Sequence, residues 1–521
     1  MAPSSTTRRQ ALGTLGLGLP ALASPAGHAS ADPQMRMRNA ILLLLLVSGL
    51  SAASPPASAE SPRSTTSDLR VGAAAIDITP PDGVPMAGYY HLRTATGVHD
   101  PLQAKAIVVE TGGERVALVA LDLITVTREL VEGAREAVEA ETGIPGSRVM
   151  ISATHAHTGP VLPDPSPSER ALGGDSPAAA EYARTLPSLI ARSVRQALDR
   201  AGPASVRGAL GHEETLAFNR RFHMKDGGFG WNPGKGNPLI LRPAGPIDAD
   251  VPVIAFEGPA GERLATYVNY ALHLDTVGGL QISADFPYTL SRALAAIHGE
   301  ETVTVFTLGC AGDINHLDVT WDDPQKGHAE AARIGTVLAG AVVETLPRLR
   351  PMDPGPLQAR SETVWLDLAP VTDADVAEAR RVLEKGTDDR AVPFLEIVKA
   401  YQVLDVLALE GKPVEAEVQV VTLGRDVAWV GFPGEVFVEL GIALKRASPF
   451  RHTIVSELTG GSIGYVPTRQ AYTQGQYEVI SARVATGSGE RLVEAASRML
   501  RELFAAASAK GGEAPAGDGG A

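Results

Sequence analysis

Extended and helical segments alternate along this chain from Val71 to Leu346, and this alternation limits its fold more than any other feature of the sequence. The extended segments are short and rich in β-branched residues, which indicates strands, whereas the others have helical periodicity. The predicted strands are 71–77, 105–110, 115–121, 148–153, 251–256, 264–271 and 302–308. The predicted helices are 130–142, 178–200, 288–298 and 328–346. Such alternation predicts an α/β fold with mixed β-sheets flanked by helices.

The part of the chain after residue 350 contains further helices and strands. A Pro- and Gly-rich stretch at 351–356 is a candidate subdomain boundary. Beyond it we expect helices at 373–383 and 392–409, a hairpin of strands 414–423 and 427–432, a helix from Val436, a strand at 453–458 and a last helix at 489–507. The sequence therefore predicts a folded region at 71–508, followed by a disordered Gly/Ala-rich tail at 509–521.

Composition excludes several classes of function. The 521 residues are 44% hydrophobic and 20% charged, as in soluble globular proteins. A net charge of −14 argues against nucleic acid or an anionic membrane as a partner bound by bulk electrostatics. Cys310 is the only cysteine, so we expect no internal disulfide, no cysteine-based metal site and a simple core role for this residue. A metal site would have to use His, Asp, Glu or Tyr.

The first 59 residues have the character of export signals. Arg8 and Arg9 precede a mild Leu/Gly/Ala stretch, as in a twin-arginine signal. A second signal follows, with a basic start at 35–38, an apolar run at 41–50 that is too short to span a bilayer, and small residues at 57–59. Tandem signals place the true start at Met35 or Met37. We expect an exported protein, periplasmic or secreted, whose mature chain begins at Glu60 and continues through a polar linker at 60–70.

Two histidines directly after a predicted strand are the strongest candidates for chemistry. His155 and His157 lie two residues apart, so in an extended chain they face the same side, which suits a zinc half-site or a ligand beside a general base. His273 also follows a strand, Glu435 follows an apolar strand that Pro433 and Gly434 end, and Tyr465 lies in a loop. On residue pattern alone, each of these is also compatible with a structural role.

Several short strings resemble the neutral/alkaline non-lysosomal ceramidase family, and their order along residues 71–477 matches that of the family. The most specific is the His-x-His-Thr-Gly-Pro element. The strings are Ile76–Pro80, Gly97–Asp100, Thr154–Pro160, Asn219-Arg220, Gly312–Asn315, Gly434-Glu435 and Gly464–Thr468.

The resemblance implies a Zn²⁺ site and an amide-cleaving activity. It implies that His155, His273, Glu435 and Tyr465 are the metal ligands. It further implies that His157 transfers protons and that Arg220 binds the polar head of the substrate. The expected reaction is hydrolysis of an N-acyl amide, ceramide or a related small molecule or lipid, by water that the metal activates.

The sequence departs from the family in two ways. Asn315 takes the place of a functionally important serine, and His316 takes the place of a proline. An amide side chain can exchange hydrogen bonds but cannot act as a nucleophile, so Asn315 is kept as a catalytic candidate while recognition of a ceramide head group is put in doubt. The chain also ends before the C-terminal β domain of known ceramidases, which we therefore expect to be missing.

Other interpretations remain open. Ser462 lies in a Gly-x-Ser-x-Gly string, but Pro467 opposes the helix that a nucleophile elbow requires. An exported, non-catalytic binding protein is an alternative that Asn315 favours, and a zinc amidase for a non-sphingolipid substrate is another. Asp122 and Asp285 are candidates for orienting a metal-bound imidazole, or are ordinary strand-end and capping residues.

Overall fold

The structure is a computed structural model that describes residues 68–385 and 392–512. Its strands, in chain order, are β1 (Arg70–Asp77), β2 (Pro85–Met86), β3 (Arg93–Thr94), β4 (Gly97–Val98), β5 (Gln103–Thr111), β6 (Glu114–Leu121), β7 (Val149–Ala153), β8 (Gly202–Pro203), β9 (Ser205–His212), β10 (Phe218–Asn219), β11 (Arg221–Met224), β12 (Phe229–Trp231), β13 (Ile240–Pro243), β14 (Asp250–Glu257), β15 (Arg263–Tyr270), β16 (Gln281–Ile282), β17 (Val303–Leu308), β18 (Ile314–Asn315), β19 (Arg350–Pro351), β20 (Leu357–Leu366), β21 (Val414–Leu423), β22 (Val427–Gly431), β23 (Glu435–Val436), β24 (His452–Ser456) and β25 (Tyr465–Val466).

The helices agree closely with the predicted ones and include several short additions. They are α1 (Arg128–Thr142), α2 (Pro167–Ala171), α3 (Pro177–Asp199), α4 (Phe286–His298), α5 (His328–Thr345), α6 (Asp373–Glu384), α7 (Phe394–Ala408), α8 (Val438–Ala447), α9 (Arg469–Tyr472), α10 (Tyr477–Ser481) and α11 (Ser488–Gly512). Among the described residues, no helix has both the length and the apolar character needed to cross a membrane.

Three sheets form the framework, and each is mixed. Their strand orders are β7-β6-β5-β1-β8, β17-β15-β14-β9-β19 and β20-β21-β22-β24. In each sheet one edge pair is parallel, namely β6 with β7, β15 with β17, and β22 with β24. A parallel pair needs a crossover connection, and α1, α4 and α8 lie in those three connections. The predicted α/β class with mixed, helix-flanked sheets is confirmed.

Strands such as β5, β7 and β17 are buried on both faces, which explains their continuous apolar runs. In β5, Ile107 and Val109 contribute to a core that residues of all three sheets share, including Tyr267 and Trp429. The alternate residue Val108 belongs to a second core, in which α1, α3, α4 and α5 pack on the outer faces of the sheets. A third core lies between the last sheet and α8 and α11.

Some predicted boundaries differ from the observed ones. The helix predicted from Val436 begins at Val438, because Glu435 and Val436 form the short strand β23. Helix α11 extends to Gly512, so residues 509–512 of the predicted tail are helical and residues 513–521 lie outside the described residues. The predicted export signals also lie outside the described residues. The stretch 351–356 connects two different sheets, and its role as a subdomain boundary stays a prediction.

Candidate metal centre

Polar side chains from three different sheets meet just beyond the ends of strands. His155 follows β7, His273 follows β15, and Glu435 follows β22. The Nε2 atoms of His155 and His273 are 3.0 Å apart, and Nε2 of His155 is 3.4 Å from Oε2 of Glu435. Ligand sites in α/β proteins form where the carboxyl ends of strands meet. The framework therefore brings together residues that are up to 280 positions apart in the chain.

The local route by which His155 and His157 meet differs from the expected one. Strand β7 ends at Ala153, and His155 has a φ of 76°, in the left-handed region that residues other than glycine rarely adopt. The backbone N–H of His155 donates to the carbonyl of Leu123, which fixes the turn. The two side chains converge through this turn and not through strand alternation. An uncommon backbone conformation held in this way is typical of functional sites.

Three imidazole rings direct the same nitrogen toward one point. Nε2 of His157 is 3.3 Å from that of His155 and 3.1 Å from that of His273. Nδ1 of His155 lies 2.7 Å from the carbonyl oxygen of Ile124, so this nitrogen carries the proton and Nε2 of the neutral ring carries the lone pair. His155 and His273 are almost fully buried, and His157 is partly buried. The sequence predicted His157 to lie near the metal, and its ring reaches the same point as the other two.

Glu435 is aligned with Tyr465 by two strands of two residues each. β23 pairs with β25 in parallel, and their register places Glu435 beside Tyr465. The Tyr465 hydroxyl hydrogen-bonds the Glu435 carboxylate. Residues side by side on paired strands direct their side chains to the same face of the sheet. Tyr465, a predicted ligand, thus contacts the carboxylate of the centre.

Close backbone packing holds Glu435 in place. Gly312 approaches Glu435 so closely that a Cβ atom at position 312 would lie 2.5 Å from the Glu435 carbonyl oxygen. The N–H of Gly312 donates to the carbonyl of Val436, and the N–H of Val436 donates to the buried carboxyl group of Glu457. Only glycine fits at position 312, so packing explains the glycine of the Gly312–Asn315 string.

Electrostatics favour neutral imidazoles beside an ionised carboxylate. Burial, reinforced by neighbouring His155, lowers the pKa of His157 to about 3. The same two causes hold the pKa of His273 well below its ordinary value. Burial raises the pKa of Glu435, but neighbouring His155 and the hydrogen bond from Tyr465 outweigh it and hold this pKa below its ordinary value. His157 and His273 therefore present lone pairs beside a negatively charged Glu435 at neutral pH.

These residues fit a zinc ion. Imidazole nitrogens and a carboxylate oxygen are zinc ligands, and ligand distances of about 2.0–2.1 Å in a tetrahedral site separate the ligand atoms by roughly 3.3 Å. The observed nitrogen separations of 3.0 to 3.3 Å are close to this value. Oε2 of Glu435 is buried and has no hydrogen-bond partner among the described residues. Such a group requires a cation or water nearby.

Arg220 and Asn315 occupy positions other than those expected of groups that contact a substrate. Arg220 is 3% exposed and lies behind Tyr465, whose hydroxyl accepts from its Nη2 at 3.1 Å. Asn315 is fully buried in β18, where its amide donates to the side chain of Asn232 and accepts from the N–H of Leu317. Neither residue lines the cavity described below. Their predicted catalytic roles stay predictions, and for Arg220 the structure indicates action through Tyr465.

Several residues around the centre were not predicted. Asp275 follows His273 by two positions and lies 3.2 Å from Nδ1 of His316, the residue that replaces the family proline. Tyr90 and Tyr477 hydrogen-bond each other at the cavity wall. Asp275 could have been found from its spacing to His273, since carboxylates often orient metal-bound imidazoles. Tyr477 carries no comparable signal in the sequence.

The two aspartates proposed to orient an imidazole do not contact the histidines. Asp122 is 1% exposed and accepts from Lys105 at 3.2 Å and from the N–H of Gln103. Asp285 caps α4 and accepts from the N–H groups of Thr276, Val277 and Phe286. Both are structural residues, as the alternative interpretation stated.

A cavity of about 300 Å³ opens beside the centre. His155, His157, Glu435 and Tyr465 form one part of its wall, and Tyr90, Leu162 and Leu172 provide apolar surface. Other uncharged residues, such as Ser166, Tyr401 and Ile463, also line it, and one part of the wall is charged, with Arg128, Asp164, Glu169, Asp405, Glu415, Glu417 and Arg483. Burial and neighbouring Asp164 raise the pKa of Glu169 to about 7, which indicates that carboxylates outnumber nearby cations there. A polar molecule would satisfy this wall better than a hydrocarbon chain.

Two other candidates are less suited to chemistry. His99, Asp100 and His328 form a second polar group, but the two imidazoles stack with ring centroids 3.6 Å apart and planes 25° from parallel. Nearly parallel stacked rings cannot both direct an in-plane lone pair at one ion.

Ser462 is followed by the strand β25 and not by a helix, so the Gly-x-Ser-x-Gly string does not form a nucleophile elbow. Cys310 is buried, as predicted.

Comparison with known proteins adds a likeness in fold. No family model matches the sequence, and no curated protein sequence matches it. The structure is similar to that of neutral ceramidase from Pseudomonas aeruginosa, with a TM-score of 0.67, 19% identity, and coverage of 84% of this chain and 75% of that chain. It is also similar to a ceramidase complexed with C2, with a TM-score of 0.64, 18% identity, and coverage of 85% and 76% of the two chains. This chain therefore has a ceramidase-like fold.

Proposed function

We propose that this protein is an exported zinc-dependent hydrolase that cleaves an N-acyl amide bond with water. The observation that supports this best is the convergence of three imidazole nitrogens, within 3.3 Å of one another, beside a largely buried carboxylate at a cavity wall. The similar structures are of ceramidases, and ceramide is an N-acyl amide, which supports the bond type. Function does not follow from fold alone, so the proposal depends on the site.

His155, His273 and Glu435 are proposed to hold the zinc ion. His157 and Tyr465 are the candidates for a further ligand position, since both lie against this group of residues. A zinc ion at such a site supplies Lewis-acid activation of water and of an amide carbonyl. Whichever of His157 and Tyr465 does not bind the ion is available to form a hydrogen bond to the reacting amide.

The remaining steps fall to residues of the chain. The carbonyl carbon gains an oxygen from water, the C–N bond breaks, and the nitrogen takes up a proton to leave as an amine. His157 lines the cavity wall, so we assign the proton transfer to it: its neutral imidazole takes a proton from the attacking water and passes it to the departing nitrogen.

The charged wall of the cavity favours a substrate more polar than ceramide. Glu415 pairs with Arg128, and Glu417 pairs with Arg135, whereas Asp405 accepts from Ser168 and Glu169 lies near both Asp164 and Arg483. Burying an acyl chain against such groups would leave them poorly solvated. We therefore favour a zinc amidase for a polar, non-sphingolipid N-acyl amine, with ceramide as the second candidate.

A substrate panel tests the function. The chain beginning at Glu60, the proposed first residue after export, is assayed against a fluorescent ceramide, N-acyl amino acids and N-acyl amino sugars. We expect turnover that a chelator abolishes and zinc restores, loss of at least 100-fold in the His273→Ala variant, and faster turnover of the polar amides. The matched control is His212→Ala, which changes an exposed histidine.

The same assay separates the enzyme from a non-catalytic binder. Binding of a panel member, measured as a thermal shift, without turnover in the presence of zinc would favour the binder. Turnover that the chelator leaves unchanged would contradict the zinc mechanism. The mass of the exported product, expected to begin at Glu60, tests the proposed export.

A further inference from the structure

A fully buried carboxylate, that of Glu478, lies between two arginines behind the metal centre. Its Oε1 accepts from Nε of Arg220 at 2.8 Å, and its Oε2 accepts from Nη1 of Arg221 at 2.7 Å. Glu478 is 0% exposed, and the arginines are 3% and 2% exposed. Removing one member of a buried ion pair leaves an uncompensated charge in the interior, so all three groups depend on one another.

Arg220 extends from this group to the metal centre. Its Nη2 donates to the carbonyl of Gly312 at 2.7 Å and to the hydroxyl of Tyr465 at 3.1 Å. A guanidinium can only donate, so the phenol oxygen accepts from Arg220 and its own proton can point to a neighbouring acceptor. The register of β23 and β25 places Tyr465 beside Glu435, so the hydrogen bonds from Glu478 through Arg220 end at a phenol next to the Glu435 carboxylate.

The backbone lets adjacent arginines reach one carboxylate. Arg220 lies between β10 and β11, so the alternation of side chains along a strand does not apply to it. Its N–H donates to the carbonyl of Asp313, which fixes this break between the strands. Arg221 begins β11 and also donates to the carbonyl of Gly475, just before α10, the helix that carries Glu478. Both ends of the interaction are thus held by backbone contacts.

We propose that Glu478 is a positioning residue that orients Arg220 so that the Tyr465 hydroxyl is directed at Glu435. This inference rests on the proposed function and deepens it. Glu478 does not line the cavity, and its neighbour Tyr477 does. Its effect therefore reaches the substrate only through Arg220 and Tyr465. Groups that orient metal ligands typically contribute 10–100-fold to metal affinity or activity.

The Glu478→Gln variant tests this role, with Asp122→Asn as the matched control. Asp122 is also a buried carboxylate in an ion pair, and its side chain accepts from Lys105 and from the N–H of Gln103, not from groups of the centre. We expect both variants to lower the Tm. Only Glu478→Gln should weaken zinc binding, by about 10-fold or more in competition with a chromophoric chelator, and lower kcat with little change in KM.

A double-mutant cycle with Tyr465→Phe makes the test specific. If Glu478 acts through the phenol, Glu478→Gln should change zinc affinity and kcat little in the Tyr465→Phe background. If Glu478→Gln does not fold, Arg220→Lys replaces it, since lysine keeps the charge opposite Glu478 but lacks the planar fork that reaches Tyr465 and Gly312. Independent, additive effects of Glu478 and Tyr465 would overturn the inference.

The outcomes also separate this inference from the proposed function. If the unmodified chain binds zinc and Glu478→Gln retains its zinc affinity and kcat as Asp122→Asn does, the positioning role is wrong and the hydrolase proposal stands. If the unmodified chain binds no zinc, both are wrong. Zinc affinity is measured without substrate, so the positioning role can be judged even before the natural amide is known.

Discussion

At the scale of single residues, the centre depends on positions where the backbone permits little change. His155 has a left-handed φ, and Gly312 lies against the backbone of Glu435. Each sets where a proposed ligand atom lies, and shifts of about 1 Å at catalytic sites are costly. Gly312 therefore matters to the proposed centre although it has no side chain to contribute.

The Gly312→Ala substitution tests this dependence. A Cβ atom 2.5 Å from the Glu435 carbonyl oxygen forces the backbone of Glu435 to move. We expect zinc affinity to fall by about 10-fold or more, as for other changes that misplace ligands, and kcat/KM to fall with it. The control is Gly340→Ala in α5, where a Cβ meets nothing within 4 Å and the change should stabilise the helix by up to about 1 kcal/mol. Unchanged zinc affinity in Gly312→Ala would show that Glu435 is not held as described.

At the scale of elements, three strand–helix–strand units build the site. Each proposed ligand follows a strand of the parallel pair in its sheet. These strands are β7 before His155, β15 before His273 and β22 before Glu435. His273 and Glu435 lie in the crossover connections that contain α4 and α8, so these two loops are anchored at both ends, whereas His155 lies after the connection that contains α1. Asp285 and Asp313 strengthen this arrangement, since they accept from the N–H groups at the starts of α4 and α8.

The cap of α4 gives stability a pH dependence. Burial raises the pKa of Asp285 to about 6, above the value of about 3.9 in an unfolded chain. A raised folded-state pKa means that the stability from the protonated group is present below pH 4 and is lost as the pH rises through 6. The Tm of the unmodified chain minus that of Asp285→Asn should therefore decrease between pH 5 and pH 8. An increase over this range in paired thermal melts would contradict the assigned burial of the carboxyl group.

At the scale of the whole molecule, the sequence predicted the framework better than the site. Strands such as β5 and helices such as α3 depend on local periodicity, which the sequence displays directly. The pairing of Glu435 with Tyr465 depends on two-residue strands, which are too short to leave a pattern. The contact between Arg220 and Glu478 joins residues 258 positions apart, and only the folded chain reveals it. The family likeness drew attention to Arg220, but not to its position behind Tyr465.

The charge of the cavity wall is another property that only the fold reveals. Arg128, Glu169, Asp405 and Arg483 come from four separate parts of the chain and meet around one cavity. Nothing in their local sequence distinguishes them from surface residues. The proposed preference for a polar amide thus rests on the assembled cavity, whereas the proposed bond type rests on the likeness to ceramidase structures.

Anomalous diffraction at the zinc edge, from crystals of the zinc-loaded chain, shows whether His155, His273 and Glu435 hold one zinc ion. We expect one strong peak within ligand distance of Nε2 of His155 and His273 and of the Glu435 carboxylate, and no such peak in crystals of His273→Ala. A zinc-loaded crystal with no peak there, or with its only ordered peak beside His99 and His328, would contradict it.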